Sequence, residues 1–211
     1  MVARARPLLA CLGWSKALPF GAEFAEVRIG RDALSARGVA IGSAPSPYRL
    51  DYELETAPGF VTTRLLVTAR GDGWARSLDL RRAASGLWAE TRTEDGANPL
   101  LSQRVATDAA DLAALAGALD VDLGLSPLLN TPPVLRHGLL QGGSREFVMA
   151  WISVPDLAVH RSPQRYTFLR GIEEGRSVLR FESLADDGFT SDITYDAEGF
   201  VLDYPGIATR I

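Results

Sequence analysis

The stretch Tyr48-Arg-Leu-Asp-Tyr-Glu-Leu-Glu55 decides the class of fold. Its aromatic and aliphatic residues occupy every second position, and charged residues occupy the positions between them. Successive side chains of a β-strand point to opposite faces, so this period of two predicts a strand with one buried and one exposed face. A helix would instead place its apolar residues three and four positions apart.

The same alternation recurs in Val61–Val67 and in Phe189–Tyr195, and turn signals such as Gly71-Asp-Gly73 separate the runs. Short strands punctuated by turns are typical of a meandering antiparallel sheet. We therefore predict a mainly β protein with a many-stranded antiparallel sheet. A final hairpin should pair Thr190–Tyr195 with Phe200–Tyr204.

Helical patterns interrupt the strands in two places. Residues 108–119 carry apolar side chains at helical spacing, at Leu112, Leu115 and Leu119, and Thr107 or Asp108 would cap this helix. Thr131–Arg136 begins with prolines that the first turn of a helix tolerates, which predicts a second, shorter helical turn. We interpret residues 93–106 as a loop.

One apolar strand differs from the others. Phe147–Val154 is apolar on both faces until Pro155 ends it. A strand buried on both sides lies between two layers, so we expect the sheet to curl over itself or to meet another chain. This pattern predicts that Phe147–Val154 is central and fully enclosed.

Length and composition limit the functional class. A chain of 211 residues fits a single domain, and we place that domain over residues 1–211. The net charge of −4 argues against nonspecific binding to nucleic acid or to anionic membranes, since both require a positive field. The single cysteine, Cys11, excludes an internal disulfide and fits a reducing compartment, so we expect a cytoplasmic protein.

The first residues pose a choice between a signal peptide and a strand. Arg4 and Arg6 precede the apolar run Pro7–Leu12, as in a secretory signal, but the run is short and lacks a good cleavage pattern. We interpret it as the start of the first strand. No apolar run approaches the ~20 residues of a membrane helix, so we expect a soluble protein.

The segment Asp120–Arg136 breaks the strand rhythm with polar residues at irregular intervals. Asp120 and Asp122 would share one face of a strand, where they could hold a cation or supply an acid beside a carboxylate. They could equally cap a turn and accept backbone N–H groups. Asn130 suits either a sugar hydroxyl or a helix cap, and we expect Arg136 to pair with one of the two aspartates.

Other candidates for chemistry are few. His137 and His160 are the only histidines, and no nucleophile motif or zinc ligand set surrounds them, so we expect no metal and no cofactor. Aromatic side chains could line a ligand cavity or simply fill the core. Those that we consider for ligand contact are Tyr48, Tyr52, Trp151 and Tyr166.

Taken in chain order, these pieces resemble the bacterial glycolipid-binding protein family, formerly a domain of unknown function. The specific parts are the Asp120–Arg136 block and the terminal Tyr204-Pro-Gly206. More generic parts of the resemblance are Trp14, Gly21 with Glu23, Gly38-Val-Ala-Ile-Gly42, Tyr48–Tyr52, Gly86-Leu-Trp88, Ala150-Trp151 with Pro155, Gln164-Arg-Tyr166, and Gly199 with Arg210.

The resemblance implies a spiral roll or open barrel of antiparallel strands around a helix, a homodimer, and an apolar cavity that binds lipid or glycolipid. Two features depart from the family pattern. Residues 93–110 look like an insertion, so the helix at 108–119 need not be the central one. Arg136-His137 stands where we expect paired arginines, which weakens any role in clamping an anion.

Three functions follow as hypotheses. The first is non-enzymatic binding of a lipid or glycolipid, with the head group near Asp120, Asp122, Asn130 and Arg136 and no integral membrane association. The second is a hydrolase or lyase that uses Asp120 or Asp122 with His137. The third is a structural or interaction protein with a filled core. A raised carboxylate pKa inside a cavity would favour the second.

Overall fold

The computed structural model describes residues 7–101, 109–185 and 188–211. Seven strands form the first half of the chain: β1 Leu8–Lys16, β2 Gly21–Ile29, β3 Leu34–Gly42, β4 Tyr48–Ala57, β5 Val61–Gly71, β6 Trp74–Arg82 and β7 Trp88–Gly96. The second half contains β8 Asp120–Leu123, β9 Ser144–Ile152, β10 Val159–Gly171, β11 Ser177–Ser183, β12 Thr190–Tyr195, β13 Val201–Tyr204 and β14 Ala208–Arg210.

The helical elements are short. Helix α1 spans Ala109–Ala114 and helix α2 spans Thr131–Arg136. Among the described residues, 3₁₀ turns lie at Pro127–Asn130, Leu139–Gln141 and Glu173–Gly175. In the part of the chain that the structure describes, no helix is long and apolar enough to cross a membrane.

All the described strands belong to one sheet in the order β7-β6-β5-β4-β3-β2-β1-β14-β13-β12-β11-β10-β9-β8. Two meanders meet in its middle, where Trp14 of β1 pairs with Arg210 of β14. Neighbouring strands are antiparallel except β8 and β9, which run parallel. The prediction of a mainly β, many-stranded antiparallel sheet is therefore confirmed, with one parallel pair as an addition.

The sheet is not closed by strand pairing, but side chains bridge its two ends. The Arg92 guanidinium of β7 donates to the Leu157 carbonyl at 2.7 Å, in the loop after β9. Nearby, Arg82 Nε and Trp88 Nε1 donate to the Ala118 carbonyl, just before β8, at 3.0 and 3.3 Å. The first and last strands of the sheet therefore face each other across a seam, as expected for an open barrel.

The helix inside the roll is α2 together with the 3₁₀ turn before it. Residues 127–134 are all buried. Strands far apart in the sheet reach this segment: Glu23 of β2 contacts Ser126, and Tyr166 of β10 contacts Asn130. The prediction of a helical turn over Thr131–Arg136 is confirmed, and this turn is the central helix.

Alternation decides which side chains enter the core. Tyr48, Leu50, Tyr52 and Leu54 of β4 are all buried, and the residues between them are half-buried or exposed. The strand at Val61–Val67 and the hairpin of β12 with β13 are also present as predicted. Of the predicted first strand, Leu8–Leu12 lie in β1, and residues 1–6 are outside the described part.

The predicted helix over 108–119 is too long. Helix α1 ends at Ala114, after which Leu115, Ala116 and Ala118 form tighter i to i−3 hydrogen bonds. Gly117 then adopts a φ of 84°, which a regular helix cannot accommodate. The predicted caps, Thr107 and Asp108, lie outside the described residues. The loop predicted over 93–106 is also wrong at its start, because β7 continues to Gly96.

The apolar strand Phe147–Val154 is neither central nor fully enclosed. Phe147–Ile152 is the C-terminal part of β9, which lies next to the edge strand β8, and Ser153 and Val154 follow the end of that strand. Met149, Ala150 and Ile152 are buried, but Phe147 and Trp151 are only half-buried. Trp151 lines a pocket, and for this reason its apolar side chain is not fully covered by other residues.

Candidate functional site

A pocket of about 490 Å³ opens where β8, β9 and β11 end and β10 begins. We call it the Asp122 pocket. Its polar lining comes from Asp122, Ser126, Asn130, Ser153, His160, Arg161, Ser162, Gln164 and Ser183. Its apolar lining comes from Gly124, Leu125, Trp151, Val154, Phe181, Ala185, Phe189, Tyr204 and Ile207. Ligand pockets commonly have volumes of ~300–1,000 Å³ and combine apolar walls with a few placed polar groups.

Strand register explains why Asp122 and Trp151 meet. Asp122 of β8 lies opposite Trp151 of β9, and Trp151 lies opposite His160 of β10. Residues opposite each other in neighbouring strands project from the same face of a sheet. The three side chains therefore form a row along the pocket wall, and the Trp151 and His160 rings are 5.4 Å apart between centroids.

Asp122 is the titratable group at the base of this row. It is half-buried, and Gln164 Nε2 donates to its Oδ2 at 2.7 Å. Burial raises the pKa of Asp122 to about 6; the nearby Asp120 carboxylate adds to the rise, and the hydrogen bond from Gln164 opposes it. The carboxyl group therefore changes charge close to neutral pH.

Asp120 and Arg136 form a buried ion pair. Both guanidinium nitrogens Nη1 and Nη2 of Arg136 donate to the two carboxylate oxygens of Asp120. Burial raises the pKa of Asp120, and the guanidinium opposes that rise. The prediction that Arg136 pairs with one of the two aspartates is confirmed. Neither residue lines the pocket. Both carboxylate oxygens of Asp120 and the guanidinium group of Arg136 are used in this ion pair, which holds α2 against β8.

Behind the pocket, a hydrogen bond joins Asn130 and Tyr166. The Tyr166 hydroxyl donates to Asn130 Oδ1 at 2.6 Å, and Asn130 Nδ2 lies 3.3 Å from the Ser126 and Pro127 carbonyls. Tyr166 is fully buried and does not line the pocket, whereas Asn130 does. The pair fixes the 3₁₀ turn against β10.

A buried cluster that the sequence did not reveal anchors the other side of this turn. Ser126 and Tyr52 both donate hydroxyl protons to Glu23 Oε1 at 2.7 Å, and Lys16 Nζ lies 3.5 Å from Glu23 Oε2. Burial lowers the pKa of Lys16, although Glu23 opposes that change. Glu23 therefore links Ser126 to Tyr52 and holds the start of the 3₁₀ turn against β2 and β4.

Tyr48 and Tyr52 do not reach the pocket. Each ring lies over the glycine opposite it in β3, Gly42 for Tyr48 and Gly38 for Tyr52, where an added Cβ would collide with the ring. Both tyrosines are buried in the core. Of the eight side chains predicted for ligand contact, the structure brings Asp122, Asn130 and Trp151 into the pocket lining.

The histidine at the pocket is His160, not the predicted His137. His137 is exposed and stacks on Phe147, with 5.8 Å between ring centroids. Within residues 7–101, 109–185 and 188–211, no group of three or more His, Cys, Asp or Glu side chains is arranged to hold a metal ion.

Gln164 and Tyr204 line the pocket, although neither was predicted to contact a ligand. A signal was present, because both belong to short polar-aromatic triplets, Gln164-Arg-Tyr166 and Tyr204-Pro-Gly206. Their position beside Asp122 depends on strand order, since 42 residues separate Asp122 from Gln164.

A second depression, of about 620 Å³, lies on the solvent-facing side of β1–β4. Its floor is a row of cross-strand neighbours, Cys11, Glu26, Arg37 and Glu53. These side chains are exposed or half-buried and mostly charged. It is the larger depression, but it lacks a buried polar group that would recognise a ligand.

Comparisons with solved structures found similar chains. A crystal structure of a DUF1089 family protein from Pseudomonas aeruginosa is similar, with a TM-score of 0.67, 25% identity, and coverage of 90% of this chain and 92% of that one. A β-barrel-like DUF1849 protein from Brucella abortus has a TM-score of 0.45 and 7% identity, covering 99% of this chain and 96% of that one. No curated protein matches the chain.

A family model described as "Putative glycolipid-binding" matches residues 11–210. The match includes every described strand except the first residues of β1, and it includes the whole Asp122 pocket. The chain therefore belongs to this family.

Proposed function

We propose that the protein binds an amphipathic ligand, a lipid or glycolipid, in the Asp122 pocket without turning it over. The observation that carries this proposal is the make-up of the pocket. It places a carboxyl–amide pair, Asp122 and Gln164, among aromatic and aliphatic side chains such as Trp151, Phe181 and Ile207. Such a lining suits a ligand with one polar and one apolar end.

We favour binding over catalysis because the polar groups near Asp122 either cannot transfer a proton or already interact with other residues. Its hydrogen-bond partner is Gln164, whose amide neither accepts nor releases a proton near neutral pH. Asp120 is committed to Arg136, and Ser126 to Glu23. The family description, "Putative glycolipid-binding", points to the same class of ligand.

Native mass spectrometry tests this proposal. The purified protein is titrated with a monoacyl glycolipid, and separately with the free sugar at the same concentrations. We expect a saturable 1:1 adduct with the glycolipid and none with the sugar, because the acyl chain supplies most of the buried apolar area. Absence of a saturable adduct up to the solubility limit of the lipid would overturn the proposal.

A second candidate function is acid–base catalysis, as in a hydrolase or lyase. The observation in its favour is the pKa of Asp122, raised to about 6 in a pocket, as expected for a general acid or base. Its partner would be His160, because His137 does not line the pocket. This candidate predicts product formation from a bound glycolipid that Asp122→Asn abolishes while binding persists.

We further propose that the protein is a cytoplasmic homodimer. Phe24 of β2 and Ile41 of β3 are 47% and 46% exposed on the outer side of the sheet, which supports a protein contact there. The free, exposed Cys11 is compatible with a reducing compartment. Light scattering coupled to gel filtration tests the dimer, and fractionation of the host cell tests the location.

A further inference from the structure

Gln164 holds an unsatisfied hydrogen-bond acceptor at the Asp122 pocket. Its side-chain nitrogen donates to Asp122 Oδ2 at 2.7 Å and to Ser162 Oγ at 3.2 Å, which uses both amide protons. Its oxygen, Oε1, is buried and has no hydrogen-bond partner among the described residues. The residue is only 1% exposed and lines the pocket.

A buried acceptor without a donor is costly, and native proteins rarely leave one unpaired without a reason. The orientation of the amide also has a cause. An ionised carboxylate only accepts, so the amide must turn its nitrogen to Asp122 and its oxygen away. Asp122 thus determines that Gln164 offers an acceptor, not a donor.

Asp122 adds further acceptor capacity. Among the described residues, Gln164 makes the one hydrogen bond to its carboxylate, through Oδ2. Asp122 and Gln164 both line the pocket, and the carboxylate and the amide oxygen each have lone pairs that no described residue uses. A matching ligand group must bring at least two donors close together.

We propose that Gln164 and Asp122 recognise two neighbouring hydroxyl groups of an uncharged, polyhydroxylated head group such as a hexose ring, and that Gln164 determines this specificity. The inference rests on the proposed function and names the class of its head group. The half-buried Trp151, opposite Asp122 in the strand register, offers an indole face on which the apolar side of such a ring can stack.

The charges around the pocket disfavour the other head groups. A phosphate would meet the carboxylate of Asp122, with Asp120 close behind it, and Arg136 is already paired with Asp120. An ammonium group would bring donors, but Arg161 of the pocket lining adds a positive charge that opposes its binding. Hydroxyl groups satisfy the acceptors without adding a charge.

Four ligands that share an octyl chain and differ in the head group test this inference. The probes are octyl β-glucoside, its per-O-methylated derivative, octyl phosphate and octylammonium, titrated into the full chain by isothermal calorimetry at pH 7.5. The glucoside should bind about tenfold or more tightly than each of the others, since a site that hydrogen-bonds hydroxyl groups rejects analogues that lack them.

Two variants of the protein test whether Gln164 causes the preference for the glucoside. Gln164→Met keeps the length of the side chain and removes the acceptor, and Gln141→Met makes the same change at an exposed residue outside the pocket. The Gln164→Met protein should lose most of the preference for the glucoside, and the Gln141→Met protein should keep it. Asp122→Asn provides a second test if Gln164→Met does not fold, and it should weaken the same preference.

The outcomes separate the inference from the proposed function. Similar binding of all four octyl compounds would leave the pocket as a lipid site and overturn the proposal for the head group. Tighter binding of octyl phosphate or octylammonium would also overturn it. If none of the four binds, both the proposed function and the inference fail. A preference that survives in Gln164→Met and Asp122→Asn would assign it to other residues.

Discussion

At the scale of single residues, the ion pair between Arg136 and Asp120 is the contact on which α2 depends. Their side chains are 11% and 1% exposed. We expect Arg136→Met to reduce the free energy of unfolding by roughly 3–5 kcal/mol, because it leaves a buried carboxylate without its partner. Urea denaturation at pH 7 measures this loss.

The matched control is Arg180→Met, which breaks the pair between Arg180 and Asp192, with side chains 45% and 42% exposed. Exposed pairs contribute about 0–1 kcal/mol, so this variant should be nearly as stable as the wild type. Equal losses in the two variants would show that Asp120 is not held in a buried pair.

Asp122 should make stability depend on pH. Its pKa is about 6 in the folded protein and ~3.9 in an unfolded chain, so the folded state binds the proton more tightly. The resulting stabilisation is complete below about pH 4 and is lost as the pH rises through about 6, a change of up to about 3 kcal/mol.

Asp122→Asn resembles the protonated carboxyl group and should not lose this stabilisation. The difference in unfolding free energy between Asp122→Asn and the wild type should therefore grow in favour of the variant from pH 4 to pH 7. Asp72→Asn, at an exposed position in the turn between β5 and β6, serves as the control. A difference that stays constant over this pH range would contradict the raised pKa.

Contacts in the site could be predicted only between residues that lie close together along the chain. The pairing of Arg136 with an aspartate followed from a local rule, since a partly buried arginine requires acceptors nearby. Gln164 and His160 join Asp122 only through the register of β8, β9 and β10, and spacing along the chain does not reveal register. For the same reason the sequence favoured His137, which is closer to Asp122 in the chain.

At the scale of secondary structure, the tryptophans of β1 and β9 should behave differently. Trp14 is fully buried, and its Nε1 donates to the Val201 carbonyl at 2.9 Å, whereas Trp151 is half-buried at the pocket. Trp14→Ala should cost roughly 3–5 kcal/mol, the range for emptying a large aromatic site. Trp151→Ala should cost about 1–2 kcal/mol, which is common for less buried positions.

Thermal and urea unfolding of the two variants measure these losses. A loss for Trp151→Ala as large as that for Trp14→Ala would show that Trp151 is a core residue and that the pocket wall is misassigned. The apolar sequence around Trp151 predicted a fully enclosed strand. An apolar sequence looks the same whether other protein residues or a ligand cover one face of the strand.

Strands were easier to predict than helices. The period-two pattern of β4 reports burial directly, so its faces could be assigned before the structure. Helix α1 ends early because a glycine at position 117 adopts a left-handed conformation, while the apolar spacing continues beyond it. Spacing records which face is buried, and it does not record where the backbone turns.

At the scale of the whole molecule, the roll places its two chain halves around the segment 127–136 and leaves the Asp122 pocket at one end. The meander was predictable because most strands pair with their neighbours in sequence. The meeting of β1 with β14 and the parallel pairing of β8 with β9 were not predictable from local patterns, because both join distant parts of the chain.

The central claim is that the Asp122 pocket, and not the outer depression, binds the ligand. Its most direct test is the titration of a fluorescent fatty-acyl probe into the wild type, Ser183→Trp and Ser35→Trp. Ser183 lines the Asp122 pocket and Ser35 lines the outer depression, so each tryptophan fills one of the two spaces. Circular dichroism confirms that each variant is folded.

We predict saturable binding to the wild type that unlabelled lipid displaces, unchanged affinity in Ser35→Trp, and a loss of about tenfold or more in Ser183→Trp, since a filled pocket cannot bury the acyl chain. Binding that persists in folded Ser183→Trp and disappears in Ser35→Trp, or no saturable binding to the wild type, would contradict the account.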